Sequence, residues 1–231
     1  MNIKKKISYL FVKNIYGDHN SKTNVKNAIN NLIKELPSDF SGLNVGAGNT
    51  FFDKRIKNLD IEENNTIDIV GSVESIPIGK NKLDVIFCQE VLEHVKNPEI
   101  ALSEMYRVLK PGGKLFLQVP FIIGYHPCPN DYWRFSDEGL KYIVLKNNFK
   151  INHQEQTVGP ATGFYRIAVE FFAILFSLPL PFLYKPFKGI FAILLYFVKY
   201  LDIIMIFSKE SSRIAGGHFV ICEKPNKKTL N

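Results

Sequence analysis

Five short apolar runs follow one another between residues 43 and 120, each bounded by polar or glycine-containing turns. They read LNVG at 43–46, NLDI at 58–61, TIDIV at 66–70, LDVIFCQ at 83–89 and KLFLQVP at 114–120. Runs of four to seven residues suit buried strands better than helices, which need a longer periodic stripe. One such stripe lies between the last two runs, where residues 97–110 place Ile100, Ala101, Met105, Val108 and Leu109 at helical spacing and Pro111-Gly112-Gly113 closes it. An earlier stripe at 24–35 uses Val25, Ala28, Ile29, Leu32 and Ile33, and stops at Leu36-Pro37. A helix at 137–147, a strand at 149–157 and a last strand at 218–224 complete the pattern. Short strands alternating with helices imply a mostly parallel sheet in an α/β layer fold.

The first run ends in a glycine pair, LNVGAGNT at 43–50. Glycines one residue apart after a strand let backbone approach a ligand, because neither carries a Cβ. An ordinary strand-to-helix turn has the same look, and the third glycine of a dinucleotide fingerprint is missing. Three later features decide for a ligand. Asp60 stands near the end of the second run, where an acid can accept hydrogen bonds from two ribose hydroxyls, with Glu62 and Glu63 close by. Gly71-Ser72-Val73-Glu74 follows the third run as a loop able to offer backbone N–H and an apolar side chain to an adenine. LDVIFCQEVLEHV (83–95) and YRVLKPGGKLFLQVP (106–120) then join strand to helix and helix to strand.

This ordered set resembles the class I S-adenosylmethionine-dependent methyltransferases, in particular their type 11 small-molecule branch, over roughly residues 40–150, with the final strand completing the sheet. The resemblance implies a Rossmann-like seven-stranded, mostly parallel sheet with an antiparallel last strand and helices on both faces. It implies S-adenosyl-L-methionine as cofactor, with Gly46, Ala47 and Gly48 at the methionine moiety and Asp60 at the ribose. Ser72 and Val73 then fall at the adenine, and Gln89 closes the fourth strand beneath the sulfonium. The chain departs from the family at Asn44, where an acid is common before the glycines, and at Ser72, where aspartate is frequent. The stretch between Gly48 and Asp60 leaves room for one or two helical turns at most.

Methyl transfer from a sulfonium is an in-line displacement, so positioning and water exclusion carry much of it, and an oxygen nucleophile of high pKa also gains from a base. YHPCPNDYWRFSDEGL (125–140) follows the fifth strand, where substrate should enter, and gathers His126, Asp131, Tyr132, Trp133 and Arg134. This run also resembles members of the branch linked to surface polysaccharide and glycan modification. His126 is a base or a loop anchor, and Arg134 meets an anionic substrate or pairs with Asp131 or Asp137. Trp133 and Phe135 stack on substrate or pack the loop down. The candidate catalytic set is His126 as base, with Asp131 and Arg134. Glu93 and His94 are adjacent on an expected helix and so point about 100° apart, which favours structural roles. No metal is expected, because neither C-x-x-C nor H-E-x-x-H spacing occurs; G-x-S-x-G and P-loop patterns are missing too.

Residues 163–207 differ sharply in composition, with 33 apolar or aromatic residues in 45 and nine of the chain's 19 Phe. The longest charge-free runs are 171–184 and 189–198. A helix over the second would span ~15 Å, about half a hydrocarbon core, and Pro179 and Pro181 break the first. An apolar helical hairpin lying in one leaflet fits these lengths, with Lys185, Lys188 and Lys199 reaching the headgroups. A soluble lid or a dimer interface is the other reading. The organisation expected is an N-terminal helical segment (1–40), a methyltransferase core (41–160), the insertion (163–207) and the final strand (214–225). Three scattered cysteines and an N-terminal apolar stretch of only six residues suggest a cytoplasmic protein, peripheral or monotopic on the inner membrane face. The formal charge of +7 permits an anionic partner, but basic residues cluster only at 4–6 and few aromatics interleave, so nucleic acid is not expected. Two functions follow: O-methylation of a glycan-type or lipid-linked acceptor at the membrane surface, or a non-catalytic, cofactor-binding partner protein.

Overall fold

The computed structural model describes residues 22–226. The basic run at 4–6, the apolar stretch after it, His19 and the rest of the 1–40 segment before residue 22 lie outside the described residues. The chain divides into two compact units. Among the described residues, one comprises Asn27–Pro120, His126–Glu155 and 218–226; the other comprises 22–26, Phe121–Tyr125 and Gln156–Gly217.

A seven-stranded sheet organises the first unit. Its strands are β1 (Gly42–Val45), β2 (Ile56–Asp60), β3 (Ile69–Val70), β4 (Leu83–Gln89), β5 (Leu109–Pro120), β6 (Lys150–Val158) and β7 (Gly217–Glu223), in the spatial order β3-β2-β1-β4-β5-β7-β6. Strands β1 to β5 pair in parallel, with Val45 opposite Leu59 on one side and Cys88 on the other. Strand β7 runs antiparallel to β5: Lys224 N bonds Gly113 O at one end and Phe121 N bonds Gly216 O at the other. The Rossmann-like, mostly parallel sheet read from the sequence is therefore present. Its interior is built from the expected runs, with Leu43, Val45, Ile86, Cys88, Leu115 and Leu117 all buried. Burial of such side chains contributes about 1.5–3 kcal/mol each before the entropy of ordering is counted.

Local differences from the sequence reading have local causes. The central helix, α2 (Pro98–Val108), stops before the Pro-Gly-Gly, and Leu109 already pairs with Leu83. Pro111-Gly112-Gly113 is an irregularity inside β5, with Gly112 at φ +79° and Gly113 too close to the carbonyls of Lys110 and Leu83 to carry a Cβ. On α2, Leu102 is buried and Ile100 is exposed, the reverse of the stripe expected at that point. Strand β3 keeps only two residues because the Asp68 carboxylate accepts the Asn58 N–H (2.7 Å) in place of a backbone carbonyl. No helix follows the glycine turn; residues 46–55 are turns and irregular chain. Helix α1 (Thr23–Glu35) buries Val25, Ile29 and Leu32, and α3 (Asp137–Lys146) is capped by the Ser136 hydroxyl, which accepts from Gly139 N (3.1 Å).

The second unit is mostly helical: α4 (Pro160–Ser177), α5 (Tyr184–Leu194), a 3₁₀ stretch (Tyr196–Leu201), α6 (Asp202–Met205) and a further 3₁₀ turn (Ser211–Ile214). The helical insertion thus runs beyond 163–207 at both ends. Helices α4 and α5 form an antiparallel hairpin: Tyr165 near the start of α4 donates to Ala192 O near the end of α5 (2.8 Å), while Phe176 and Phe187 meet at the other end. The Asp202 carboxylate accepts from Ala161 N (2.7 Å) and Thr162 N (3.2 Å), supplying the first turn of α4 with a negative partner from far along the chain. A Cβ at Gly159 would stand 2.4 Å from the Asp202 carboxylate and push it out of place. Apolar side chains are widely exposed on this unit, Phe182 by 74%, Phe207 by 85% and Ile203 by 70%. Among the described residues no helix is long and apolar enough to cross a membrane. Of the three lysines assigned to headgroups, Lys188 pairs with Glu170 and Lys199 packs on the rings of Tyr165 and Tyr196, leaving Lys185 exposed.

Candidate active site

Parallel pairing of β1 with β2 and β4 brings the ends of all three strands to one edge of the sheet, where a ligand crevice is expected in open α/β folds. Gly46 (φ +62°) and Gly48 (φ +52°) turn the chain there in the left-handed region. Gly46 has a second reason to be glycine, because a Cβ would lie 2.3 Å from Val91 Cγ2. Ala47 N donates to Leu59 O (3.2 Å) and Gly48 N to Asp60 Oδ2 (2.8 Å), so the turn is fastened to the end of β2. Asp60 Oδ1 accepts from Glu62 N (3.1 Å), and each carboxylate oxygen keeps a lone pair for a ligand. The cleft beside this turn has a cavity volume of about 130 Å³ and opens to solvent. Gly46, Asp60, Ser72 and Val73 line it, together with Val91 and His94. Ser72 also accepts Glu74 N on its hydroxyl (3.1 Å), which tightens the loop.

Gln89 is placed differently. It is buried, donating to Gln118 Oε1 (3.0 Å), while Gln118 Nε2 donates to Glu90 Oε1 (3.0 Å). The cleft is met instead by Glu90 and Val91. Glu90 sits at φ +55°, an uncommon conformation for a residue with a side chain and one that often marks a functional turn.

A 3₁₀ turn, Leu92–His94, replaces the helix expected after β4. The loop after β5 folds back onto it: Tyr132 N and Trp133 N both donate to Glu93 O (2.7 and 3.3 Å), and the Trp133 indole donates to Val95 O (2.9 Å). Asp131 braces the loop from within. Its carboxylate accepts His126 N (2.8 Å) and takes two hydrogen bonds from Arg134 (2.5 and 2.7 Å), which hold it well below the usual carboxylate range. Arg134 therefore pairs with Asp131, and Trp133 packs the loop down.

His126 is carried by this braced loop to Glu93, with Nε2 at 3.8 Å from Oε1. His94 Nε2 approaches the same oxygen at 3.6 Å, and the two imidazoles meet edge to face at 5.3 Å. The Glu93 side chain is fully buried, and neither of its oxygens accepts a hydrogen bond. Burial pushes its carboxyl up to about 7, against the opposing pull of His126. Burial also lowers the pKa of His94, whose Nδ1 lies 2.6 Å from Asn130 O and so carries the ring proton. His126 Nδ1 faces Asp131 Oδ2 at 3.5 Å and Arg134 Nη2 at 3.3 Å, so either tautomer of this ring finds a partner. Glu93 and His94, set aside from sequence as structural, stand at the centre of the cluster. The usable signal was topological: β4 and β5 are parallel neighbours, so the segments leaving their ends converge.

Residues 43–117 match a family model described as a methyltransferase domain. The demethylmenaquinone methyltransferase of Oceanobacillus iheyensis is 32% identical over 94 residues, covering 39% of this chain and 40% of that protein. The ubiquinone/menaquinone biosynthesis C-methyltransferase UbiE of Klebsiella pneumoniae is 41% identical over 116 residues, covering 42% and 46%. The chain thus spans less than half the length of these curated relatives. Among solved structures, the complex between the Haloferax volcanii Trm112 methyltransferase activator and a putative methyltransferase aligns with TM-score 0.56 at 14% identity, covering 97% of this chain and 98% of that one. Haemonchus contortus phosphoethanolamine N-methyltransferase 2 in complex with S-adenosyl-L-methionine aligns with TM-score 0.51 at 16% identity, covering 94% and 56%. At such identities the likeness is one of fold. Residues 43–117 thus match the methyltransferase-domain model, and the chain shares the fold of a methyltransferase solved in complex with S-adenosyl-L-methionine.

Proposed function

We propose that the protein methylates a hydroxyl of a small or lipid-linked acceptor, with S-adenosylmethionine as donor. The observation that carries this reading is the common cleft, in which Asp60 on one wall and His94, the near edge of the Glu93–His126 cluster, on the other line a single cavity. Its donor set fits the cofactor: a carboxylate with spare lone pairs for ribose hydroxyls, the apolar Val73 for an adenine, and a glycine turn without side chains. Bound there, the cofactor would supply a methyl group on a sulfonium and leave as a neutral thioether. In that transfer a methyl–oxygen bond would replace the methyl–sulfur bond, and His126 would take the hydroxyl proton at Nε2. Asp131 and Arg134 position that ring; Gly46, Ala47 and Gly48 shape the donor side. Gln89, buried beneath, would act through Gln118 and Glu90.

The acceptor class rests on two supports. Relatives named for ubiquinone and menaquinone biosynthesis, and one named for ubiquinone O-methylation in Xanthomonas oryzae, suit an acceptor that partitions into membranes. The exposed apolar side chains of the helical unit suit peripheral attachment to a lipid surface. A glycan carried on a lipid satisfies both supports and the loop resemblance. The test is methyl transfer from labelled S-adenosylmethionine into lipid and lipid-linked glycan extracts. Label in an extractable product, lost in His126→Ala, supports the reading. Cofactor binding without any transfer would replace it with a non-catalytic partner role.

A further inference from the structure

We infer that Glu93, His94 and His126 form a binding site for one divalent transition-metal ion of the Zn²⁺ type. Each offers one ligand atom, Oε1 or Nε2, and the three lie within 4.8 Å of one another. No spacing motif in the sequence announces such a site, because the 3₁₀ turn after β4 supplies two ligands and the braced loop after β5 supplies the third.

Three observations point to a cation rather than to a hydrogen-bonded trio. First, His94 Nδ1 donates to Asn130 O (2.6 Å), so Nε2 presents a lone pair to the Glu93 carboxylate. A ring fixed by a carbonyl on one nitrogen with the other left bare is the usual arrangement of a metal-binding histidine. Second, Glu93 is fully buried with no hydrogen bond to either oxygen, a costly state that a bound cation relieves. Third, the separations of 3.6 and 3.8 Å are too long for hydrogen bonds. They sit just above the roughly 3.0–3.4 Å between ligand atoms that metal bonds of ~2.1 Å produce, and with all three atoms within 4.8 Å of one another the two rings close the set by moving inward. Two imidazoles and a carboxylate suit Zn²⁺, Co²⁺ or Fe²⁺ better than the all-oxygen preference of Mg²⁺.

Three protein ligands leave further coordination positions open, as at catalytic zinc sites, and His94 lines the cleft. A hydroxyl acceptor in the cleft would meet the cation there and ionise more readily. In the metal-loaded protein His126 is then a ligand, and its role as proton acceptor belongs to the metal-free form. The catalytic part of this inference rests on the methyl-transfer reading; metal binding itself does not.

The full chain, stripped with a chelator and kept free of S-adenosylmethionine, is titrated with Co²⁺ while the visible absorption bands of the ion are followed, and Zn²⁺ is then added as competitor. One equivalent of Co²⁺ should bind, be displaced by Zn²⁺, and lose at least about tenfold in affinity in Glu93→Gln and in His126→Ala. His153→Ala, on an exposed histidine elsewhere in the same unit, should bind as the wild type does. If Glu93→Gln does not fold, His126→Ala carries the test, since that side chain is a third exposed. The inference is overturned if Co²⁺ fails to bind stoichiometrically, or binds equally to His126→Ala. A failed methyl-transfer reading would show instead as absent S-adenosylmethionine binding by a protein that still takes up Co²⁺.

Discussion

Nε2 of His126 stands 3.8 Å from Oε1 of Glu93, although the whole of β5 separates the two residues in sequence. The approach depends on backbone rather than on either side chain: Tyr132 N and Trp133 N hold the loop to the carbonyl of Glu93 itself. The loop cannot leave the 3₁₀ turn without breaking these bonds, so the cluster and the cleft wall are assembled by one set of contacts. Charge at Arg134 and Asp131 is paired within the loop.

The ribose assignment predicts that Asp60→Ala weakens S-adenosylmethionine binding by about 1.5–3 kcal/mol, since the lost acceptor is charged. The same variant frees Gly48 N, now bonded to Oδ2, so Asp60→Asn is the companion that keeps an oxygen in place. Calorimetry on both separates loss of the ribose contact from loosening of the turn. Unchanged affinity in both would move the ribose site to Glu62 or Glu63.

Gly46→Ala should destabilise the core unit for two separable reasons, a positive φ and a Cβ only 2.3 Å from Val91 Cγ2. Left-handed backbone costs an alanine about 1–2 kcal/mol, and the clash adds to it. Adding Val91→Ala should restore part of the lost stability but not the backbone share. Chemical denaturation of the two single variants and the double variant gives the coupling directly. Strict additivity would mean that the turn shifts away from Val91 altogether.

With metal excluded, His126→Ala should lower turnover and leave cofactor affinity unchanged, because the ring acts on the acceptor alone. Arg134→Lys should lower turnover more mildly, since lysine cannot reproduce the two-pronged pair with Asp131 that positions the loop. Steady-state rates set beside calorimetric affinities decide both, and a His126→Ala enzyme with wild-type turnover would leave positioning alone as the catalytic device.

Stability of the helical unit should rise with pH between about 8 and 10.5. Burial is the main cause lowering Lys199 to about 8 from its ordinary 10.5, with Lys22 and Arg166 adding to it. In that window the unfolded chain binds the proton that the folded chain has released, so raising pH favours folding; below about 8 both states are protonated and the penalty is complete. Lys199→Met should remove the slope. Denaturation midpoints measured at pH 7, 8, 9 and 10 are the readout, and a wild-type slope of zero or negative sign contradicts the burial.

The exposed apolar residues predict that the full chain floats with phospholipid vesicles and is released by detergent but not by high salt. Phe182→Asp with Phe207→Asp, at side chains 74% and 85% exposed, should abolish flotation while leaving S-adenosylmethionine binding intact. A wild-type protein that stays in solution as a monomer would make the segment a lid.

What the sequence by itself determined is the layer architecture and the part of the cleft built from the glycine pair and Asp60. Strand runs, the glycine pair and Asp60 are local signals: period, dihedral freedom and position at a strand end are written in consecutive residues. The extent of the helical insertion was only partly legible, because Pro160 and Ile214 lie in segments without a strong apolar stripe. The cluster of Glu93, His94 and His126 was decided by tertiary structure alone. Glu93 and His94 were read as diverging on a helix, and only the packing of the β5 loop onto a 3₁₀ turn points both toward His126. Gln89 was read as closing the fourth strand beneath the sulfonium, and only the structure pairs its side chain with Gln118 across β4 and β5. The physical reason is common to these cases. Which way a side chain faces at the end of a strand depends on hydrogen bonds made by residues distant in sequence, and no period or spacing along one chain encodes them.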